Sequence, residues 1–285
     1  MSEIINLIEN NPDSHVYAKA VNILSRKLET DYSFIMQVWN HEMPQDTKYE
    51  KILISTSDES HQVPSQANDP SFVHIFKQYV PMEDANNPSA TIRKKFTALQ
   101  TINKVTPIPL CHLEGVKDLG IPILEREYDW SWMGQHDPYR RADFKIAVDD
   151  LCRDTNLANK VLWYEGWNNG TSIESYSSTV SNTKVMLVPR GSGSLESFRF
   201  FEAMMCGCLV VAVAQPETDF YNVAPCVKVS SWSNLSELIT NILRETELVQ
   251  FLSYQAKAWY NYYCSPQGLA DYMYRSVKRN NPNVV

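Results

Sequence analysis

Residues 184–213 read KVMLVPRGSGSLESFRFFEAMMCGCLVVAV, and their pattern decides the fold class. Val185-Met186-Leu187-Val188 and Leu209-Val210-Val211-Ala212-Val213 are unbroken apolar runs. A strand with one wet face alternates apolar and polar side chains, so an unbroken run marks a strand covered on both faces, as in a parallel sheet. Pro189, Gly191 and Gly193 form a loop after the first run. Ser197 to Cys206 then reads as a helix, with Gly207 as its stop. On that helix Phe198, Phe201 and Met205 are expected to face the core, with Arg199 and Glu202 one turn apart on another face.

Outward from this segment the alternation repeats. Asp129 to Met133 reads as a strand leading into the polar loop Gly134 to Pro138, and residues 139–153 as a helix. Val161 to Tyr164 is a strand, Ser172 to Ser181 a helix, Lys184 to Pro189 and Leu209 to Ala214 strands, so residues 125–262 are an α/β, Rossmann-like domain. Leu235, Leu238, Ile239, Ile242 and Leu243 make a helical stripe, with Asn234 and Glu237 as a capping pair. Helices at about 247–262 and 266–279 follow, the second opened by Ser265 and Pro266. The last segment, 263–285, is expected to cross back over the first domain.

Residues 1–124 form a second α/β domain. Val16, Ala20, Ile23, Leu24 and Leu28 place a helix over 13–28. Strands are expected at Phe34 to Trp39, Ile52 to Ser55, Phe72 to Tyr79 and Thr106 to Leu110.

The chain has 285 residues, with 26 basic against 33 acidic side chains and a net charge of -7. No basic run occurs, which argues against general nucleic-acid binding but leaves room for a local anion pocket. No stretch reaches the roughly 20 apolar residues of a transmembrane helix, and the acidic N-terminus lacks a signal-peptide core, so a cytoplasmic protein is expected. Cys111, Cys152, Cys206, Cys208, Cys226 and Cys264 lack metal-site spacing and read as reduced thiols. Glu127-Tyr128-Asp129 is a loose acidic pair, but Asp129 opens a strand instead of following one, which is poor placement for a metal-nucleotide site.

A glycine loop feeding a helix presents free N–H groups to phosphate. A guanidinium at Arg199 and a carboxylate at Glu202 suit a phosphate and a ribose diol respectively. The same spacing also suits a solvated ion pair, and spacing alone leaves both readings open. Among the aromatic residues, Trp130 and Trp163 read as core, whereas Trp132 and Trp167, nearer the loops, read as surfaces for base or sugar.

The order strand, P-x-G, S-F-R-x-x-E-A-x-x-x-G-C-x-x-V resembles the donor-sugar domain of exostosin-like glycosyltransferases at Pro189, Gly191, Ser197, Arg199, Glu202, Ala203, Gly207, Cys208 and Val211. Trp130 to Gln135, followed by Arg140 and Arg141, resembles the start of that domain. The resemblance spans about residues 125–260 and departs from the family at Leu209-Val210, where a proline is usual at the second position. It implies a GT-B architecture of two Rossmann-like domains facing a cleft, with a nucleotide-sugar on the second and a glycan acceptor on the first. Donor-binding residues implied are Gly134, Gln135, Arg140, Arg141, Arg190, Gly191, Ser194, Ser197, Phe198, Arg199 and Glu202. Glu202 would hold the ribose, Arg199 and the backbone around Ser197 the diphosphate, and Arg140 or Arg141 the leaving phosphate. Protein charges would then replace a metal, and no cofactor beyond the nucleotide-sugar, UDP-linked by expectation, is implied.

Ser194 stands where retaining enzymes of this architecture carry a second glutamate, which favours inversion. The absence of the membrane anchor found in animal and plant members points to a microbial or viral relative. A xylosyltransferase of the capsid-glycan type carried by large algal viruses is the most similar kind, so xylose is the expected sugar. Inversion needs a general base from the first domain. Asp58, Glu59 and His61 follow the strand Ile52 to Ile54 and are the candidates, Asp58 first; the same acidic loop also reads as a helix cap. His112 and Glu114, after the strand at 106–110, are expected to bind the acceptor, although His112 also suits packing. The alternative reading is a non-catalytic nucleotide- or carbohydrate-binding protein on the same fold. A sugar-modifying epimerase ranks last, for want of a nicotinamide site.

Overall fold

The computed structural model describes residues 2–8, 14–38, 43–44, 46–57, 63–79, 104–138, 140–166, 169–191, 194–213 and 215–281. The chain divides into two compact units, the first comprising Met1–Glu114, Pro216–Asn222 and Asn261–Val285, the second Gly115–Gln215 and Val223–Tyr260.

The first unit holds a parallel sheet of five strands in sequential order: β1 (Glu3–Asn6), β2 (Ser33–Val38), β3 (Lys51–Thr56), β4 (Phe72–Lys77) and β5 (Val105–Pro107). One cluster of buried side chains joins Ile35, Leu53, Phe72 and Ile75, with Ile5, Leu7 and Val105 packed against it. Helix α1 (Ser14–Lys27) buries Val16, Tyr17, Ala20, Val21 and Leu24, and α8 (Pro266–Asn280) buries Leu269, Met273 and Val277 beside it. The hydroxyl of Tyr272 on α8 donates to the Pro107 carbonyl at 3.1 Å, fastening the C-terminal helix to β5. The crossing-back of the last helix onto the first unit is therefore present. Ser265 caps that helix as expected, its hydroxyl accepting the Gly268 N–H at 3.1 Å. Strand β5 stops at Pro107 instead of running to Leu110, because Pro107 and Pro109 have no N–H to give a ladder.

The second unit contains β6 (Tyr128–Gln135), α2 (Ala142–Asp154), β7 (Asn159–Tyr164), α3 (Ile173–Ser181), β8 (Thr183–Val188), α4 (Phe198–Met205), β9 (Leu209–Val213) and β10 (Val227–Val229), with α6 (Leu235–Arg244) and all but the last residues of α7 (Thr246–Tyr263) after them. The short α5 (Asp219–Asn222) belongs to the first unit. All five strands are parallel, in the order β10-β9-β8-β6-β7. Val185 to Val188 and Val210 to Ala212 are 0% exposed, so the unbroken apolar runs are covered on both faces. These two all-parallel sheets with flanking helices are the α/β, GT-B-like architecture the sequence implies.

Several local expectations change. Gly134 and Gln135 belong to strand β6, paired with Trp163 and Tyr164, instead of opening a loop. Helix α2 begins at Ala142, and ahead of it Asp137 Oδ1 accepts the Arg140 N–H at 3.0 Å and the Asp137 carbonyl the Arg141 N–H at 2.9 Å. Asn234 adopts φ 61° and its side chain makes no cap bond, so the capping pair with Glu237 does not form. On α4 the buried face is Phe200, Phe201, Ala203 and Met204, while Phe198 and Met205 are half-buried. Trp132 is 0% exposed inside the core with Trp130, which removes it as a surface for a base.

Candidate functional site

In the second sheet the chain runs from β6 outward to β7, then crosses to β8 on the other side of β6 and continues through β9 to β10. The winding therefore reverses between β6 and β8, and the loops leaving their carboxyl ends diverge to open a crevice. Gly134, Gln135, Arg140 and Arg141 leave β6 there; Arg190, Gly191, Ser194 and Ser197 leave β8 and lead into Phe198, Arg199 and Glu202 of α4. Residues expected to bind a donor thus converge at one end of one sheet.

Trp132 organises them. The Arg141 guanidinium lies 5.4 Å from the indole centroid and that of Arg199 5.1 Å, so two cations meet one π surface. Arg199 Nε donates to the Met133 carbonyl at 2.6 Å. A Cβ on Gly134 would stand 2.4 Å from an indole carbon and 3.1 Å from Arg199 Nη2, so glycine here makes room for ring and guanidinium. At Gly191 a Cβ would meet the Glu196 carbonyl at 2.3 Å, because the loop folds back on itself.

Arg141 is 3% exposed. Its Nε and Nη2 donate to the Arg190 carbonyl at 3.1 and 2.9 Å, and Nη1 to the Gln135 carbonyl at 3.0 Å. Burial, then the charges of Arg199, Arg190 and Arg140, push its guanidinium down to about 10, against an opposing pull from Asp137. Arg190 is pushed down by burial and then by Arg140. Arg141 is thus repelled by three neighbouring cations, and an anion in the crevice would relieve that repulsion.

Glu202 is 1% exposed, so it is no solvated partner of Arg199. Its Oε2 accepts the Tyr176 hydroxyl from α3 at 2.6 Å. Burial and the Glu202 charge hold the Tyr176 phenol well above its ordinary range, so it stays a donor. Tyr176 and Asp137 were not among the expected site residues; each is an ordinary polar residue without a local motif. Beside the crevice, His136 Nδ1 lies 3.5 Å from Glu165 Oε1, and its ring meets Trp163 edge-on at 6.0 Å.

At the opposite end of the sheet, Asp129 pairs with Lys184 at 2.8 Å and accepts the Ala158 N–H at 3.0 Å, which engages the acidic pair's second member structurally. No group of three or more His, Cys, Asp or Glu suited to a metal occurs among the described residues. All six cysteines are free thiols; Cys152 is exposed, Cys226 half-buried and the rest buried. No described helix is long and apolar enough to cross a membrane.

In the first unit, His112 is half-buried and Glu114 exposed. His112 Nε2 lies 3.1 Å from His15 Nε2, and burial, then the His15 and Lys19 charges, push His112 down to about 4. Asp58, Glu59, His61, Trp167 and Gly193 lie outside the described residues.

No family model matches the chain, and no curated protein matches it. Among solved structures it is similar to AviGT4, a glycosyltransferase involved in avilamycin A biosynthesis, at 10% identity and TM-score 0.50, with 99% of each chain covered. An α1,3-fucosyltransferase with GDP matches at 11% identity and TM-score 0.49, over 98% of this chain and 91% of that one. Sucrose-phosphate synthase from Thermosynechococcus elongatus matches at 12% identity and TM-score 0.48, over 95% and 79%. At these identities the likeness to AviGT4 establishes the fold alone.

Proposed function

We propose that this chain is an inverting, metal-independent glycosyltransferase that moves a sugar, xylose as first choice, from a UDP-sugar to a hydroxyl group of a glycan. The observation that carries the reading is the gathering of Arg140, Arg141, Arg190 and Arg199 where the winding of the second sheet reverses. A diphosphate bears the charge that such a crevice lacks, and guanidiniums match its oxygens in paired hydrogen bonds. The fold shared with AviGT4, itself a glycosyltransferase, favours transfer chemistry on this site.

The contacts divide the labour. Arg141 is engaged by the Gln135 and Arg190 carbonyls and holds the strand ends, and Arg140, Arg190 and Arg199 bring further guanidinium charge to the phosphate oxygens. The α4 N-terminus, from Ser197, adds main-chain N–H groups and the positive end of the helix dipole. As the bond from anomeric carbon to diphosphate breaks, charge grows on the leaving oxygens, and fixed cations stabilise that charge more than the ground state. Glu202, which accepts the Tyr176 hydroxyl, would also receive the ribose hydroxyls on its carboxylate.

The test is thermal stability against UDP, GDP, CDP and a panel of UDP-sugars, with and without EDTA, since a ligand of the folded state raises its stability with concentration. A UDP-specific shift, unchanged by EDTA and lost in Glu202→Ala, is expected. Absence of any shift with every nucleotide sinks the donor site, and binding without turnover turns the reading to a non-catalytic nucleotide-binding protein.

A further inference from the structure

Helix α7 is apolar on two sides. Its inner side buries Val249, Ser253, Ala256, Trp259 and Tyr260, with Val249 and Leu252 in the core that α6 shares. The side turned away from that core holds Leu248, Phe251, Tyr254 and Ala258, spaced by three, three and four residues and hence on one face. Leu248 is 44% exposed, Phe251 58% and Tyr254 72%. The 18 residues of α7 include two charged side chains, Glu247 and Lys257, whereas the 13 of α2 in the same unit include six. A helix apolar all round is one that is covered all round, and large apolar side chains grouped on a surface mark an interaction site.

Two contacts fix where this face stands. The Ser253 hydroxyl donates to the Gly207 carbonyl at 2.7 Å, and the Lys257 ammonium pairs with Asp118 at 2.5 Å while its stem lies over Gly207. Gly207 precedes β9, so the middle of α7 is held at the amino edge of the second sheet, away from the crevice at the carboxyl ends. Glu247 and Lys257 flank the apolar stripe, ten residues or about 15 Å apart. One cation, already in an ion pair, is poor equipment for an anionic lipid surface, which selects helices rich in lysine and arginine. The stripe instead complements itself. A second α7 laid end to end against it brings the partner's Lys257 toward Glu247 and the partner's Glu247 toward Lys257, whereas parallel pairing would oppose like charges.

We propose that the outward face of α7 is the contact between two copies of this chain, paired antiparallel about a two-fold axis midway between Phe251 and Tyr254. Helical spacing then sets Phe251 against the partner's Tyr254 and Leu248 against the partner's Ala258. The three large apolar side chains of each copy leave water, and the charged residues stay at the rim. The inference is independent of the reaction, because no donor-binding residue lies on this face.

Sedimentation velocity of the full chain over about 1–300 μM tests this. A stripe about 15 Å long is at the small end of interfaces, so a reversible dimer with a Kd of about 10–100 μM is expected, its mass approaching twice the 32.7 kDa of one chain. Phe251→Glu should weaken association about tenfold or more, with circular dichroism and the melting temperature of the dilute protein unchanged. Tyr254→Ser, at the most exposed position of the stripe, should weaken it in the same direction and serves if Phe251→Glu fails to fold. Glu247→Lys should weaken it by about threefold, an effect that shrinks as salt is added. A wild type that stays monomeric at 300 μM overturns the pairing, as does a dimer that both apolar-stripe variants leave intact. A monomer that floats with phosphatidylglycerol vesicles overturns it in favour of a lipid surface.

Discussion

The Arg141 guanidinium holds the Arg190 carbonyl oxygen from two directions, through Nε at 3.1 Å and Nη2 at 2.9 Å. Its third bond reaches the Gln135 carbonyl, so one side chain bridges the exits of β6 and β8. Lysine has neither the fork nor the reach for this. Arg141→Lys should therefore lower unfolding free energy by roughly 2 kcal/mol or more, the scale of buried hydrogen bonds to a charged group. It should also weaken UDP binding, although the charge is conserved. Denaturant unfolding together with UDP titration checks this, and an Arg141→Lys variant with unchanged stability and UDP affinity would remove the bridge from the account.

Gly134 permits the stacking beside it. Its absent Cβ would overlap the Trp132 ring at 2.4 Å, closer than any displacement of Arg199 could cure. Gly134→Ala should thus cost about 1–3 kcal/mol as overpacking. It should also blunt UDP affinity, since the indole that underlies both guanidiniums has to shift. The melting temperature and the UDP dissociation constant are the readouts, and an Ala variant matching wild type in both rules out this packing role.

The covered strands β8 and β9 were legible because their apolar runs lack the wet-face alternation, and the residues flanking them carried the donor motif. Strands β1 and β10, of four and three residues, are too short to show a period against their neighbours. Sheet order was hidden for a different reason. Alternation names the strands, but the placing of β8 beside β6 depends on packing across the whole unit. The same holds for Tyr176 and Glu202, which are 26 positions apart and meet through the packing of α3 on α4. Trp132 was misread because Gly134 and Gln135 extend β6 beyond the expected loop, taking the indole with them into the core.

Tyr176 should matter to the carboxylate more than to the helix it sits on. Tyr176→Phe deletes the 2.6 Å bond to Glu202 and leaves a buried acceptor short of a partner. A loss of about 1–3 kcal/mol in stability follows. If Glu202 receives the ribose, the same change should also weaken UDP more than free diphosphate, because the carboxylate loses the hydroxyl that helps to orient it. Competitive titration with UDP and pyrophosphate separates the two, and equal losses for both would put Tyr176 outside ribose recognition.

Acid should destabilise the first unit through His74. This side chain is 0% exposed on β4, its Nε2 is paired with the Thr106 hydroxyl at 2.9 Å, and burial pushes it down to about 3. The unfolded chain binds the proton near 6.5, whereas the folded one resists it until about 3. The stability contributed by neutral His74 is therefore complete above pH 6.5 and is lost as pH falls toward 3, at about 1.4 kcal/mol per unit. Between pH 7.5 and 4.5 the wild type should lose about 3 kcal/mol from this group alone. His74→Gln keeps a polar partner for Thr106 and cannot titrate. Its unfolding free energy should fall by about 3 kcal/mol less over that range, and parallel pH dependence in the two proteins would show that His74 is not the group responsible.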